Sequence, residues 1–147
     1  MVHYFDDLAI GDAFESKTYT FTKEDIVEFA QQFDPQPFHV DEAAAAESMF
    51  GELVASGLHT LCVSQLLTVE DVFVEIANVG GARMDELRWH KPVTPGDSLS
   101  LRVEVADKST IDHRPERGIV TFERILTDSE GEEVMTTKHY CGVERRQ

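Results

Sequence analysis

The sequence predicts an α+β fold in which an antiparallel β-sheet wraps around one central α-helix. Three observations predict it. Residues 53–69 carry no formal charge in a chain that is 28% charged. Within them Leu58, Leu61, Cys62, Val63, Leu66 and Leu67 point in nearly every direction around a helix axis, the signature of an enclosed helix. Downstream, the apolar period changes from helical spacing to strict alternation, with turn residues between the alternating runs.

Each element has its own warrant. Residues 14–21 alternate loosely and predict a strand. Thr22 then reads as a helix N-cap, with Glu24 and Asp25 in the first turn and an apolar stripe of Ile26, Val27, Phe29, Ala30 and Phe33. That helix stops near Phe33, because Pro35 and Pro37 disfavour helical geometry at Asp34 and Gln36. Asp41 caps a short alanine-rich helix over 42–49, closed by Gly51. Ser56 and Gly57 open the central helix, which runs to about Thr68 and holds Cys62 as a buried structural thiol. From about Val72 onward strands take over, the first over 82–93 with Leu87 and Trp89. The clearest is 98–105, with Leu99, Leu101, Val103 and Val105 on one face. Residues 119–126 and 134–143 complete the set, and Pro95-Gly96-Asp97 and Ser129-Glu130-Gly131 supply turns. Edge strands in so small a sheet need cover. Pairing two copies supplies it, so a homodimer or a dimer-based oligomer is expected.

No repeat, linker or low-complexity run interrupts the 147 residues, which read as one domain over 1–147. Asp6 and Asp7 break the N-terminus before any apolar run begins, so no signal peptide is read, and 53–69 is too polar and too short to span a bilayer. A cytoplasmic location is the default expectation. The net charge of −15 repels nucleic acid and anionic membranes, and neither is expected as a partner. Two cysteines make no disulfide framework, and no spacing suits a metal site.

The segment with most chemical content is Phe33-Asp34-Pro35-Gln36-Pro37-Phe38-His39. Two prolines make a stiff, non-helical connector holding a carboxylate and an imidazole five positions apart. Extended, that stretch would approach ~17 Å, so it must fold back for both groups to meet one substrate. Stiffness suits acid–base catalysis, which needs groups held within hydrogen-bond reach of a moving proton. The plainer alternative is a rigid loop with Asp34 as a cap and His39 as a surface residue. Ser56-Gly57 offers a second signal, because amides at a helix start attract developing negative charge.

Phe33-Asp34-Pro35-Gln36-Pro37-Phe38-His39-Val40-Asp41, the alanine run, Phe50-Gly51 and Ala55-Ser56-Gly57-Leu58 together resemble the MaoC-like (R)-specific enoyl-CoA hydratases and acyl dehydratases. Leu87-Arg88-Trp89 and Pro92-Val93-Thr94-Pro95-Gly96-Asp97 are similar to that family's later strand and turn. The resemblance implies a hot-dog fold. It implies reversible syn addition of water across the C2–C3 double bond of an enoyl-CoA, giving a 3-hydroxyacyl-CoA, with the CoA thioester as substrate and no further cofactor. Position by position it assigns catalysis to Asp34 and His39, without fixing which is acid and which base, and oxyanion binding to the Gly57 amide. Gln36 stands where the family usually has Asn, and Ser56 where it has His. Both neighbour the substrate and both departures point toward an acyl group other than a simple straight chain.

Three further residues are candidates for the pocket or for CoA. His59, on the first turn of the central helix, either lines the pocket or packs as an ordinary buried histidine. Arg114 and Arg117, in a charged loop, either meet CoA phosphates or belong to a solvated turn. An anionic substrate sits oddly with so acidic a chain. A high-salt cytoplasm resolves the conflict, since the Debye length falls to about 3 Å at 1 M salt, and a halophilic source is the resulting expectation. Two rivals remain: an acyl-CoA thioesterase on the same fold, although residues 57–69 hold no carboxylate for it, and a non-catalytic acyl-CoA-binding subunit.

Overall fold

The computed structural model describes residues 1–146. β1 (Ala13–Thr20) leads into α1 (Lys23–Phe33), where the Thr22 hydroxyl accepts the Asp25 amide at 3.1 Å as its cap. Ile26 and Ala30 bury one face of α1, and the helix ends at Asp34, whose amide still donates to the Ala30 carbonyl. Beyond it the connector is not wholly non-helical: α2 (Pro37–Val40) is a single helical turn with Pro37 in its first position. Proline favours that position because its missing N–H would have no partner there and its φ is already helical. α3 (Glu42–Ala46) is capped by Asp41, whose carboxylate accepts from Ala43 and Ala44. It is shorter than the expected 42–49 because the Ser48 hydroxyl takes the Ala45 carbonyl and the chain turns through Gly51 at φ +73°.

α4 (Gly57–Leu67) is the central helix, capped by Ser56. His59, Thr60, Val63, Ser64 and Leu67 are buried, whereas Leu58, Cys62 and Leu66 face outward. This corrects two expectations. The helix is covered on one side only, and Cys62 is exposed. The reason is shared: one chain supplies one sheet, so the second apolar face of α4 has nothing over it. The helix ends at Leu67, close to its predicted end. The Thr68 hydroxyl bonds back to the Ser64 carbonyl at 2.7 Å, and the chain loosens into a π-helical segment, Thr68–Val72, and a short 3-10 turn.

Four strands follow: β2 (Asn78–Trp89), β3 (Ser98–Thr110), β4 (Arg117–Thr127) and β5 (Glu133–Glu144). With β1 they form one antiparallel sheet in the order β1-β3-β4-β5-β2. Leu99, Leu101, Val103 and Val105 bury together as their alternation predicts, joined by Phe122, Leu126 and Met135 from the neighbouring strands. β2 lies earlier than the expected 82–93. It begins among glycines because Gly81 lies under the His139 ring with no room for a Cβ, and it ends before Pro92, which has no N–H for the ladder. β2 also carries an extra residue at three places against β5, between Asn78 and Gly80, between Gly81 and Arg83, and between Asp85 and Arg88. Asp85 pairs with Lys138 and Arg88 with Thr136, and Glu86 in between takes φ +53°. Among the described residues no helix is long and apolar enough to cross a membrane.

Candidate active site

The turn of α2 folds the proline segment back, so that two groups which extended chain would separate widely become neighbours. His39 Nε2 lies 3.4 Å from Asp34 Oδ2. The imidazole is buried, with Phe38 edge-on at 4.6 Å between ring centres and Phe50 packed behind Phe38. Its other nitrogen, Nδ1, is 2.7 Å from the Val54 carbonyl. A carbonyl only accepts, so Nδ1 carries a hydrogen, and Nε2 is the nitrogen turned to Asp34 and the open space beside it.

Asp34 is held from both sides. Ser56 Oγ donates to Oδ2 at 2.7 Å, and the Gln36 amide donates to Oδ1 at 2.8 Å. The Ser56 hydrogen bond holds the carboxyl below its usual range, aided by Gln36 and by the charge of His39, while partial burial opposes them. Ser56 also accepts the Leu58 amide at 3.2 Å, so one hydroxyl caps α4 and anchors the carboxylate. Gly57 is the first residue of α4, where amides have no acceptor within the helix. On its carbonyl side the Trp89 indole donates at 2.9 Å.

These residues share one cleft of about 440 Å³, lined by Asp34, His39, Ser56, Gly57, Phe50 and Trp89 among others. Lys91 stands in its wall but is already paired with Asp128 at 2.6 Å. The arrangement offers a carboxylate and an imidazole nitrogen within reach of one small polar molecule. Gly57, at the helix start, lines the same space, together with Phe38, Phe50 and Trp89.

Five of the eight candidates read from the sequence thus meet: Asp34, Gln36, His39, Ser56 and Gly57. The other three lie elsewhere. His59 is stacked on Phe29 at 4.7 Å with its ring edge-on to Phe21, and it opens toward Asp25 and Glu28 on α1 rather than into the cleft. It is the packed histidine of the plainer reading. Arg114 and Arg117 flank the β3–β4 hairpin, at the end of the sheet away from Trp89, and line no part of the cleft. Two contributors escaped sequence reading. The Val54 carbonyl is a backbone group with no residue signature. Trp89 was legible as a strand residue only, because its face depends on the extra residue at Glu86.

Residues 7–126 match the profile of the MaoC like domain family. Protein YdeM of Bacillus subtilis, itself uncharacterised, is 40% identical over 79% of this chain and 81% of its own length. Protein MaoC of Klebsiella aerogenes is 37% identical over 76% of this chain, which spans only 32% of that longer protein. The 3-hydroxybutyryl-CoA dehydratase of Methylorubrum extorquens is 32% identical over 72% of this chain and 66% of its own. Among solved structures, the MaoC-like dehydratase of Rhodospirillum rubrum superposes with a TM-score of 0.88, at 37% identity and 99% coverage of both chains.

Proposed function

The chain belongs to the MaoC-like family of hot-dog proteins, and from that premise we propose that it is a hydro-lyase that adds water reversibly across the C2–C3 double bond of an enoyl-CoA. The observation that carries this reading is the 3.4 Å approach of His39 Nε2 to Asp34 Oδ2 in the cleft that Gly57 enters.

In this reading one water sits within hydrogen-bond reach of both groups. Asp34, kept ionised by Ser56 and Gln36, accepts one of its hydrogens and aims its oxygen at C3. His39 Nε2 takes the other proton as the O–C3 bond forms, and the imidazolium then delivers it to C2 on the same face. The hydroxyl and the proton both come from one water and arrive on the same face, which accounts for syn addition. Negative charge gathers on the thioester oxygen between these steps, and the Gly57 amide at the start of α4 stabilises it. Ser56 acts through Asp34 and Gln36 acts on its other oxygen, so neither is spent on substrate.

The reading includes a homodimer. β2 is an edge strand twelve residues long, and an open edge of that length invites a second copy. The uncovered Leu58 and Leu66 of α4 would gain cover in the same event.

The test follows crotonyl-CoA, and then longer and branched enoyl-CoAs, at the enoyl-thioester absorbance with a thiol reagent present. Loss of the double bond without thiol release is expected. Thiol release would mark a thioesterase, and silence across the panel would mark a binding subunit.

A further inference from the structure

Trp89 touches neither Asp34 nor His39 by hydrogen bond, yet it is the residue that meets α4 at the atom group on which the proposed oxyanion site depends. Its indole N–H donates to the Gly57 carbonyl at 2.9 Å. Its ring lies so close to Gly57 that a Cβ there would sit 2.7 Å from Cε2 and 2.8 Å from Nε1. The carbonyl bonded by the indole and the amide assigned to the oxyanion site flank a single Cα. Fixing one restricts the other.

The chain accepts strain to put the indole there. In a regular strand Asp85, Leu87 and Trp89 would share a face, and Asp85 pairs with Lys138 on the side away from the core. The extra residue at Glu86 shifts the alternation by one, so Trp89 pairs with buried Met135 and turns toward α4. Glu86 is the only non-glycine residue at positive φ among those described, a conformation that side chains with a Cβ resist. A bulge with that backbone, three residues before an indole clamped to a helix start, is a device for aiming a side chain.

We infer that Trp89 is a positioning residue: turned toward the start of α4 by the bulge at Glu86, it clamps the first turn of that helix and sets where the Gly57 amide meets the thioester oxygen. This rests on the hydratase reading for its chemistry, but its geometry can be tested without turnover.

Trp89 is the sole tryptophan of the chain, so its emission reports the cleft directly. Titration of the wild-type protein with butyryl-CoA, which has no double bond to hydrate, is expected to change that emission saturably. Binding seen by calorimetry with unchanged emission overturns the inference. In Trp89→Phe, which keeps a ring and loses the N–H, the Gly57 amide resonance of the ¹⁵N-labelled protein is expected to shift. An unmoved Gly57 resonance overturns it whatever the enzyme does. In the hydration assay Trp89→Phe is expected to lower kcat roughly tenfold with KM within about twofold, the mark of a displaced group rather than lost binding. A raised KM with intact kcat makes the ring a mere wall and ends the positioning role. Deletion of Glu86 should turn the indole outward and lose at least as much rate, whereas Glu86→Gly, which relieves the backbone and keeps the bulge, should retain it. If the deletion variant does not fold, the emission and resonance measurements still decide.

Discussion

Ser56 Oγ reaches Asp34 Oδ2 at 2.7 Å, tying the start of α4 to the end of α1 across twenty-two residues of chain. The same oxygen accepts the Leu58 amide. One side chain therefore sets the position of a carboxylate and the direction of a helix whose first residue lines the same cleft.

Ser56→Ala should act on both. Losing the strongest donor to Asp34 raises its carboxyl toward the ordinary range, so the acid limb of the pH–kcat profile should move to higher pH. Losing the cap should cost about 1 kcal/mol of stability, read from the urea midpoint. An unmoved acid limb would separate Ser56 from the carboxylate.

Asp34→Asn and His39→Ala should each lower hydration by at least ~100-fold, the usual effect of removing a positioned acid or base. Fold and thermal stability, followed by circular dichroism, should survive both. A near-normal rate in either variant would remove that residue from the mechanism.

Arg124 is fully buried beneath α4, bonded to Gln65 at 2.7 Å and to His139, while its Nε and Nη1 have no partner among the described residues. Burial pushes its pKa down to about 10, so it is still charged at neutral pH. An uncompensated buried cation costs stability. Arg124→Met, similar in length and apolar, should raise the unfolding free energy by about 1 kcal/mol or more. A loss of stability would show that the guanidinium is better satisfied than its hydrogen bonds indicate.

His139 is pushed down to about 4, first by burial and then by the charge of Arg124. The unfolded chain titrates this histidine near 6.5, so below that pH the unfolded state holds more protons than the folded one. Stability should therefore decline as pH falls from about 6.5 toward about 4, and this contribution should then level off. The lowered Asp34 adds a further decline only below the ordinary carboxylate range. Urea melts between pH ~7 and ~4 should show the first decline in the wild type and a smaller one in His139→Gln, which cannot titrate.

A net charge of −15 on so small a chain repels itself, and salt screens that repulsion. Melting temperature should rise between about 0.1 M and about 2 M KCl. A flat response would remove the halophilic reading.

Local chemistry was legible in the sequence wherever a residue acts on its own neighbours. Thr22, Asp41 and Ser56 cap the helices that their types and positions announce, and the alternation over 98–105 names the buried face of β3 correctly. The Asp34/His39 pair was singled out too, partly because proline restricts what the backbone between them can do and partly through the family resemblance, and the structure brings the two side chains to 3.4 Å. Whatever depends on what lies opposite in space was not. Cys62 and His59 sit in the same charge-free run, yet one faces solvent and the other is stacked on Phe29, because the sheet covers α4 from one side. A helix with apolar residues all round carries no mark of which side that will be.

The sequence alone thus determined most of the elements and their caps, since each follows from torsional preference and spacing along a few residues, while Asp34 and His39 were singled out as a pair through the family resemblance. Only the tertiary structure decided that α2 folds His39 back to within 3.4 Å of Asp34, that the Val54 carbonyl leaves Nε2 as the free nitrogen, and that one extra residue at Glu86 turns Trp89 onto Gly57. Those relations join atoms far apart in the chain, and their energies depend on distances that close only when the sheet and helix pack together.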